Sequence, residues 1–479
     1  MLDWLAAPDH TTARWIVQHL VALVYVIAFT VALAQFRPLI GERGLTPIPR
    51  FLARTTFRRH PSLFHLSYSD TIFRVVAGVG LLGALAALAG ATDVLPLGAG
   101  IALWGLLWVL YLSIVTVGQV WYGFGWESLL LEAGFLVTFL GPADVAPPLP
   151  ILVLLVWLLF RVEFGAGLIK MRGDPCWRDL TCLEFHHETQ PLPGPTSRWF
   201  HHLPRPLHRV EVLANHVTQL VVPFLLFLPQ PVASVAAAVV VVTQGWLVSS
   251  GNFAWLNFLT ISLAFAAVDD AFLGRLPVPL PAPGPLPTWF AVVVLAVTVL
   301  MLALSVWPVL NMASGRQLMN AGITPVHLGN SYGAFGSVTR EREEVVLEGT
   351  TDASGDDDAV WHEYDFRAKP GDPYRRPPQV APYHHRLDWL MWFAPIAPRM
   401  ARSWLPALLD RLLEADRPTL RLLRRDPFDG ERPAWVRARL YRYRFTTRDE
   451  RRATGAWWHR ELIGDYLPAR TLDRSSAAP

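Results

Sequence analysis

Residues Trp15–Phe36 read WIVQHLVALVYVIAFTVALAQF, 22 positions without an Asp, Glu, Lys or Arg. A helix needs about 20 mostly apolar residues to cross roughly 30 Å of hydrocarbon. The preceding residues lack a basic cluster, and the run is too long for the apolar core of a cleavable signal, so it reads as a retained first span. Further uncharged runs follow at Val75–Thr92, Val94–Trp126, Val145–Phe160, Val212–Val268 and Leu276–Gly315. Their segmentation predicts a polytopic α-helical membrane protein of about nine transmembrane helices, at 14–35, 72–90, 98–117, 127–141, 149–169, 210–228, 231–248, 254–272 and 289–310. The fourth is short and carries Glu127 and Glu132, which reads as a re-entrant helix or one buried among others. Pro229 and Pro231 predict a tight turn between the sixth and seventh, because proline cannot continue a helix ladder.

Composition agrees. The 479 residues are 52% hydrophobic and 17% charged, where an ordinary soluble domain carries about 25% charge. A formal net charge of +3 gives no reason to expect nucleic acid as a partner. The apolar content and 20 Trp exclude disorder, and two Cys exclude a disulfide scaffold. Residues 1–310 hold 16 basic and 16 acidic side chains, whereas 311–479 hold 26 and 23 in about half the length. We therefore expect a multi-pass domain over 1–320 with polar loops at 37–71 and 170–209. A soluble domain should occupy 335–470, followed by a disordered tail at 471–479.

In the soluble part, 335–347, 360–368, 420–423 and 435–446 read as strands, from Val, Tyr, Phe and Trp alternating loosely with charge. Residues 385–393 (HRLDWLMWF) and 403–415 read as helices. A small α+β or β-sandwich-like domain fits. With nine spans, both polar loops and this domain share one face, opposite the N-terminus. The arginines of the loops place that face in the cytoplasm by the positive-inside bias, a rule that weakens for long folded loops.

Three blocks are distinctive. Phe36–Pro49 reads FRPLIGERGLTPIP, Gly118–Gly134 reads GQVWYGFGWESLLLEAG, and Phe164–Pro193 reads FGAGLIKMRGDPCWRDLTCLEFHHETQPLP. Asn215–Val222 and Gly251–Thr260 (GNFAWLNFLT) follow in order. This series resembles the lipase maturation factor family over almost the whole chain. The resemblance implies a multi-pass protein that assists folding and assembly of secreted lipases, with the bilayer and a lipase client as partners and no cofactor. It implies an endoplasmic reticulum membrane for eukaryotic relatives. The use of 40 Arg against 2 Lys suggests a bacterial member in the plasma membrane. The family's large loops and tail face the lumen, so the resemblance places the shared face outside the cytoplasm, against the arginine count.

Cys176 and Cys182 are the only cysteines, spaced C-x5-C in a polar loop. They form a disulfide candidate if a turn at Asp179 brings their Cα atoms within about 7 Å, the alternative being two buried thiols. The loop motif Gly173, Asp174, Trp177, Arg178, Asp179, His186, Glu188, Gln190 and Pro191 carries the resemblance most densely. A metal site could be drawn from His186, His187, Glu188, His201 and His202. The family shows an aromatic where His187 stands, which weakens that idea, so the cluster reads as a hydrogen-bonded loop and no metal is expected. Glu127, Glu132 and Arg161 read as buried ion pairs that fix helix register, with Arg161 able to meet either glutamate.

Lys170 is one of two lysines, and lysine can act as a base where arginine cannot. Glu163 lies on the same helix face. The segment AGLIK looks like the one carrying the base lysine of vitamin K-dependent gamma-glutamyl carboxylase. Two functions follow. One is a non-enzymatic membrane maturation factor. The other is a membrane enzyme with Lys170 as base, tuned by Glu163 or Glu127, acting on a lipid, quinone or protein side chain. No GxGxxG, Walker, G-x-S-x-G or HExxH motif stands in a credible context, so the reading leans to the first.

Overall fold

The computed structural model describes residues 3–274 and 280–472. Of the expected disordered tail, 473–479 lie outside the described residues. Among the described residues, six helices are long and apolar enough to cross a membrane. They are α1 (Thr11–Ile40), α2 (Asp70–Leu88), α3 (Leu97–Val117), α5 (Leu149–Arg172), α8 (Val232–Ser250) and α10 (Thr288–Ala313). The 30 residues of α1 reach about 45 Å at 1.5 Å per residue. Its N-terminus is capped from far along the chain: the Asp270 carboxylate accepts from the backbone N–H groups of Thr11 and Thr12 and from the Thr11 hydroxyl. That satisfies orphan donors and places a negative charge at the positive end of the helix dipole.

Three of the nine expected spans are corrected by helix length. The 127–141 segment forms α4 (Gly125–Val137), whose 13 residues span about 20 Å. Its interior position is one of the two expected, with Glu127 and Glu132 fully buried. The 210–228 segment begins in the amphipathic α7 (Arg205–Leu220), which breaks at Val221 ahead of Pro223. The 254–272 segment yields α9 (Leu256–Ala264), nine residues followed by a single 3-10 turn. Apolar composition alone did not separate these shorter helices from full crossings.

The outer helices are apolar outward. Val292, Val299, Leu302 and Val306 of α10 are exposed, as are Val75, Val79 and Leu82 of α2. Such a surface suits lipid and would be a liability in water. Among the described residues of α5, most face inward: 78% of its most apolar stretch is buried.

In the 170–209 loop, Cys176 and Cys182 are joined as a disulfide with Cα atoms 4.8 Å apart. The short helix α6 (Leu183–Thr189) follows. β1 (Leu192–Pro193) then pairs with β2 (Gly251–Asn252), tying this loop to the end of α8.

The C-terminal part is α+β rather than a sandwich: one four-stranded antiparallel sheet, in the order β4-β3-β5-β6. β3 (Arg342–Thr350) pairs along its full length with β5 (Trp435–Phe445), from Arg342 opposite Tyr443 to Thr350 opposite Trp435. β4 (His362–Glu363) lies at one edge and β6 (Trp458–Arg470) at the other. The helices α11 (Arg386–Ile396) and α12 (Leu405–Leu413) pack around it. α12 buries Leu405, Leu408, Leu409, Leu412 and Leu413, the i, i+3, i+4, i+7, i+8 stripe of a core-facing helix. At 420–423 there is no strand: a helical turn, Arg417–Leu420, capped by Asp416 and with Pro418 as its second residue, ends there. One apolar cluster runs without a break from Val17 of α1 to Val436 and Ala438 of β5, so the sheet domain is packed onto the helices rather than tethered to them.

Candidate functional site

The polar chemistry of the chain concentrates where the C-terminal domain meets the helices. Glu127, in the first turn of α4, is fully buried. Its carboxylate accepts from Arg386 Nη1 at 2.7 Å and from the Tyr111 hydroxyl. Arg386 opens α11, and its Nη1 also donates to the Trp121 carbonyl at 2.5 Å. The guanidinium carbon lies 3.5 Å from the centre of the Tyr122 ring. Gln35, near the end of α1, grips the same chain segment from below. Its Oε1 accepts from the Arg386 N–H at 3.0 Å, and its Nε2 donates to the His384 carbonyl at 2.7 Å. The His384 ring sits edge-on against Phe124, Trp126 and Trp389. Burial, then the Arg386 charge, pushes its pKa well below 6.5. Beside this latch a cleft of about 420 Å³ is lined by Gln35, Tyr383, His385 and Asp388.

The 170–209 loop forms a second latch. Arg342 at the start of β3 donates to the carbonyls of Glu188 (2.9 Å), Gln190 (2.5 Å) and Pro191 (3.0 Å) and to the Glu344 carboxylate. Lys369 pairs with the other Glu344 oxygen at 3.0 Å. In return, Glu188 Oε2 accepts from the Phe445 N–H at 2.6 Å and lies 3.4 Å from His201 Nε2. Burial raises the Glu188 pKa above the usual carboxylate range. Gln190 Nε2 donates to Ser197 Oγ and to the carbonyls of His187 and Ser250. Asp174 takes the Arg340 guanidinium at 2.7 Å, which holds its pKa down with help from the Cys176 and Val338 N–H groups. Trp177 Nε1 donates to the Phe335 carbonyl at 2.8 Å. At Gly173 a Cβ would lie 2.0 Å from the Gly336 oxygen, so only glycine lets the two segments approach this closely.

The rest of the loop motif serves the loop itself. Arg178 donates to the Met171 carbonyl, and the Asp179 N–H closes the turn onto Pro175. His186 packs on Phe253 and Phe335, and burial pushes its pKa well below 6.5. His186 and His187 therefore do not converge with Glu188, His201 and His202 on one point.

Arg161 chooses Glu132 over Glu127, at 2.5 Å. The other Glu132 oxygen accepts from the Asn330 N–H, Asn330 Nδ2 and the Tyr332 hydroxyl. Lys170 and Glu163 share a face of α5 but bond to different partners. Lys170 Nζ donates to Asn215 Oδ1 and Gln219 Oε1, both at 2.8 Å, and lies 4.8 Å from the centre of the Trp177 ring. Glu163 accepts from Gln244 Nε2, whose Oε1 accepts from Asn257.

Arg386, Arg342, Gln35 and Asn252 were not singled out in the sequence. Asn252 Oδ1 accepts from the Val380 and Ala381 N–H groups, tying β2 to the chain before α11. The signals were present as an arginine heading the aromatic HRLDWLMWF helix and an asparagine inside the GNFAWLNFLT block.

These features define an integral membrane protein whose extramembrane domain is fixed to its helices through buried polar latches. The chain belongs to the lipase maturation factor family. Residues 12–275 match the lipase maturation factor transmembrane domain, and residues 328–468 match the lipase maturation factor C-terminal domain. It is 43% identical to lipase maturation factor 1 of Bos taurus, over 97% of this chain and 90% of that protein. It is 42% identical to lipase maturation factor 1 of Homo sapiens, over 97% and 89% of the two chains. Lipase maturation factor 2 of Homo sapiens is 29% identical over 94% of this chain and 82% of its own length. No solved structure matches the chain.

Proposed function

We propose that this chain is a membrane-embedded maturation factor that holds exported lipases while they fold and assemble. The observation that carries the reading is the double latch. Membrane helices and the C-terminal sheet share one core, and the loop 170–209 is bound into the same face. That arrangement is a fixed hydrophilic platform at the bilayer surface, built from residues 335–470 on an anchor of 1–320. The relatives' names point to lipases as the client.

The sidedness we favour is extracytoplasmic, in the plasma membrane of a bacterium. The Cys176–Cys182 disulfide supports it, because such bonds persist in oxidising compartments. Periplasmic and cytoplasmic reporter fusions after residue 470 test the placement. The enzyme reading with Lys170 as base is not favoured. Two amide oxygens and an aromatic face surround its nitrogen, and the relatives' names point to maturation of lipases rather than to an enzyme.

Affinity purification of an exported lipase from membranes tests the function. Full-length protein should co-purify with the lipase, and a form lacking residues 335–479 should not. Equal recovery of both forms would contradict a platform role for the C-terminal domain.

A further inference from the structure

Three side chains outside the latches converge on one point. His187 lies on α6, and His208 and Glu211 lie one turn apart on α7. One donor atom from each lies within 4.8 Å of the other two. His187 Nε2 is 3.4 Å from Glu211 Oε2, and His208 Nδ1 is 3.9 Å from the same oxygen. Both histidine side chains are 2% exposed, and neither Nδ1 has a hydrogen-bond partner.

The tautomer of His208 sharpens the point. Its Nε2 faces the His201 carbonyl at 3.3 Å, which assigns the ring proton to Nε2. The bare lone pair of Nδ1 then faces and repels Glu211 Oε2, an oxygen that His187 Nε2 reaches only by a long 3.4 Å hydrogen bond. A cation between them removes that repulsion. The other carboxylate oxygen, Glu211 Oε1, accepts from Trp246 Nε1 at 2.7 Å. This is the outer hydrogen bond that orients a ligating group.

We infer that His187, His208 and Glu211 form a site for a divalent transition metal of the zinc class. Two imidazoles and a carboxylate suit zinc, whereas calcium and magnesium take oxygen ligands. Ligand atoms around a tetrahedral zinc, with bonds of about 2.0–2.1 Å, lie about 3.4 Å apart. The His187–Glu211 separation is already there, and rotation of the imidazoles by about an ångström closes the rest. Three protein ligands leave a fourth position for water or an incoming donor. The metal fastens α6 to α7 one residue before Glu188, which holds the Phe445 N–H of the sheet. Binding would therefore tighten the second latch.

The test uses tag-free, full-length protein in detergent, stripped with a chelator, loaded with Zn²⁺ and desalted, with bound metal counted by mass spectrometry. Wild type is expected to retain one equivalent, His208→Gln and Glu211→Gln at least tenfold less, and His202→Gln the full equivalent. Because the variants can fail for reasons of folding, Co²⁺ is titrated into the stripped wild type. Visible bands of a four-coordinate nitrogen and oxygen site, displaced by Zn²⁺, are expected. Retention of no more metal by wild type than by Glu211→Gln, an equal loss in His202→Gln, or the absence of Co²⁺ bands would each overturn the site.

Discussion

The joint between the helices and the C-terminal domain and the outer rim of that domain's sheet use the same kind of ion pair in opposite settings. Arg386 and Glu127 meet with side chains at most 1% exposed, whereas Arg439 meets Asp357 at the protein surface, where the aspartate is 81% exposed. On α10 apolar side chains such as Val299 and Leu302 face outward, and on α12 the leucines point inward. The comparison teaches that the buried Arg386–Glu127 pair acts as a joint between segments distant in sequence. The Arg439–Asp357 pair only decorates the rim of the sheet. Removing one partner leaves a charge stranded in the first setting and hydrated in the second.

The largest effect should come from the joint. Arg386→Ala or Glu127→Ala should destabilise the protein by about 3–5 kcal/mol, the penalty for an uncompensated buried charge. Limited proteolysis should release the C-terminal domain in the same variants. Replacing both residues with apolar ones of similar volume, Arg386→Met with Glu127→Leu, should recover most of the loss. A double variant as unstable as the sum of the singles would show that the pair is not acting as a unit. Next, Cys176→Ser opens a bridge between residues six apart, and loop-closure entropy predicts a loss of about 2 kcal/mol, read by thermal denaturation under non-reducing conditions.

A third test uses pH. Burial holds His384 neutral in the folded protein, with a pKa well below 6.5. The unfolded chain takes up a proton near pH 6.5 that the folded chain refuses, so stability falls as pH drops below that value. His384→Phe should flatten the decline between about pH 6.5 and 5. Identical slopes for wild type and variant would remove His384 as its source. The smallest effect belongs to the surface: Asp357→Ala should change stability by no more than about 1 kcal/mol.

What the sequence disclosed follows the same divide. Uncharged runs located the six long helices, because transfer into lipid depends on composition alone. Helix length does not, so α4, α7 and α9 were counted as full spans. Pro223 and the charges of α7 limit α7, and the β2 pairing at Gly251–Asn252 takes up chain ahead of α9. The edge strand β6 was passed over. It carries Gly464 and Pro468, which edge strands tolerate and which break the alternating pattern that identifies a strand. The loop motif was visible as a block, yet its role was not. Asp174, Glu188, Gln190 and Pro191 act through Arg340, Arg342 and Phe445, more than 150 positions away for each arginine contact. Arg386 and Glu127 are 259 positions apart, a pairing that no local pattern announces.

The most direct measurement is the specific activity of an exported lipase, per mole of secreted enzyme, in cells lacking this protein. The account predicts that activity falls while lipase synthesis is unchanged, that the full-length chain restores it, and that a chain lacking residues 335–479 does not. Secreted lipase of normal specific activity in the deletion strain would contradict it.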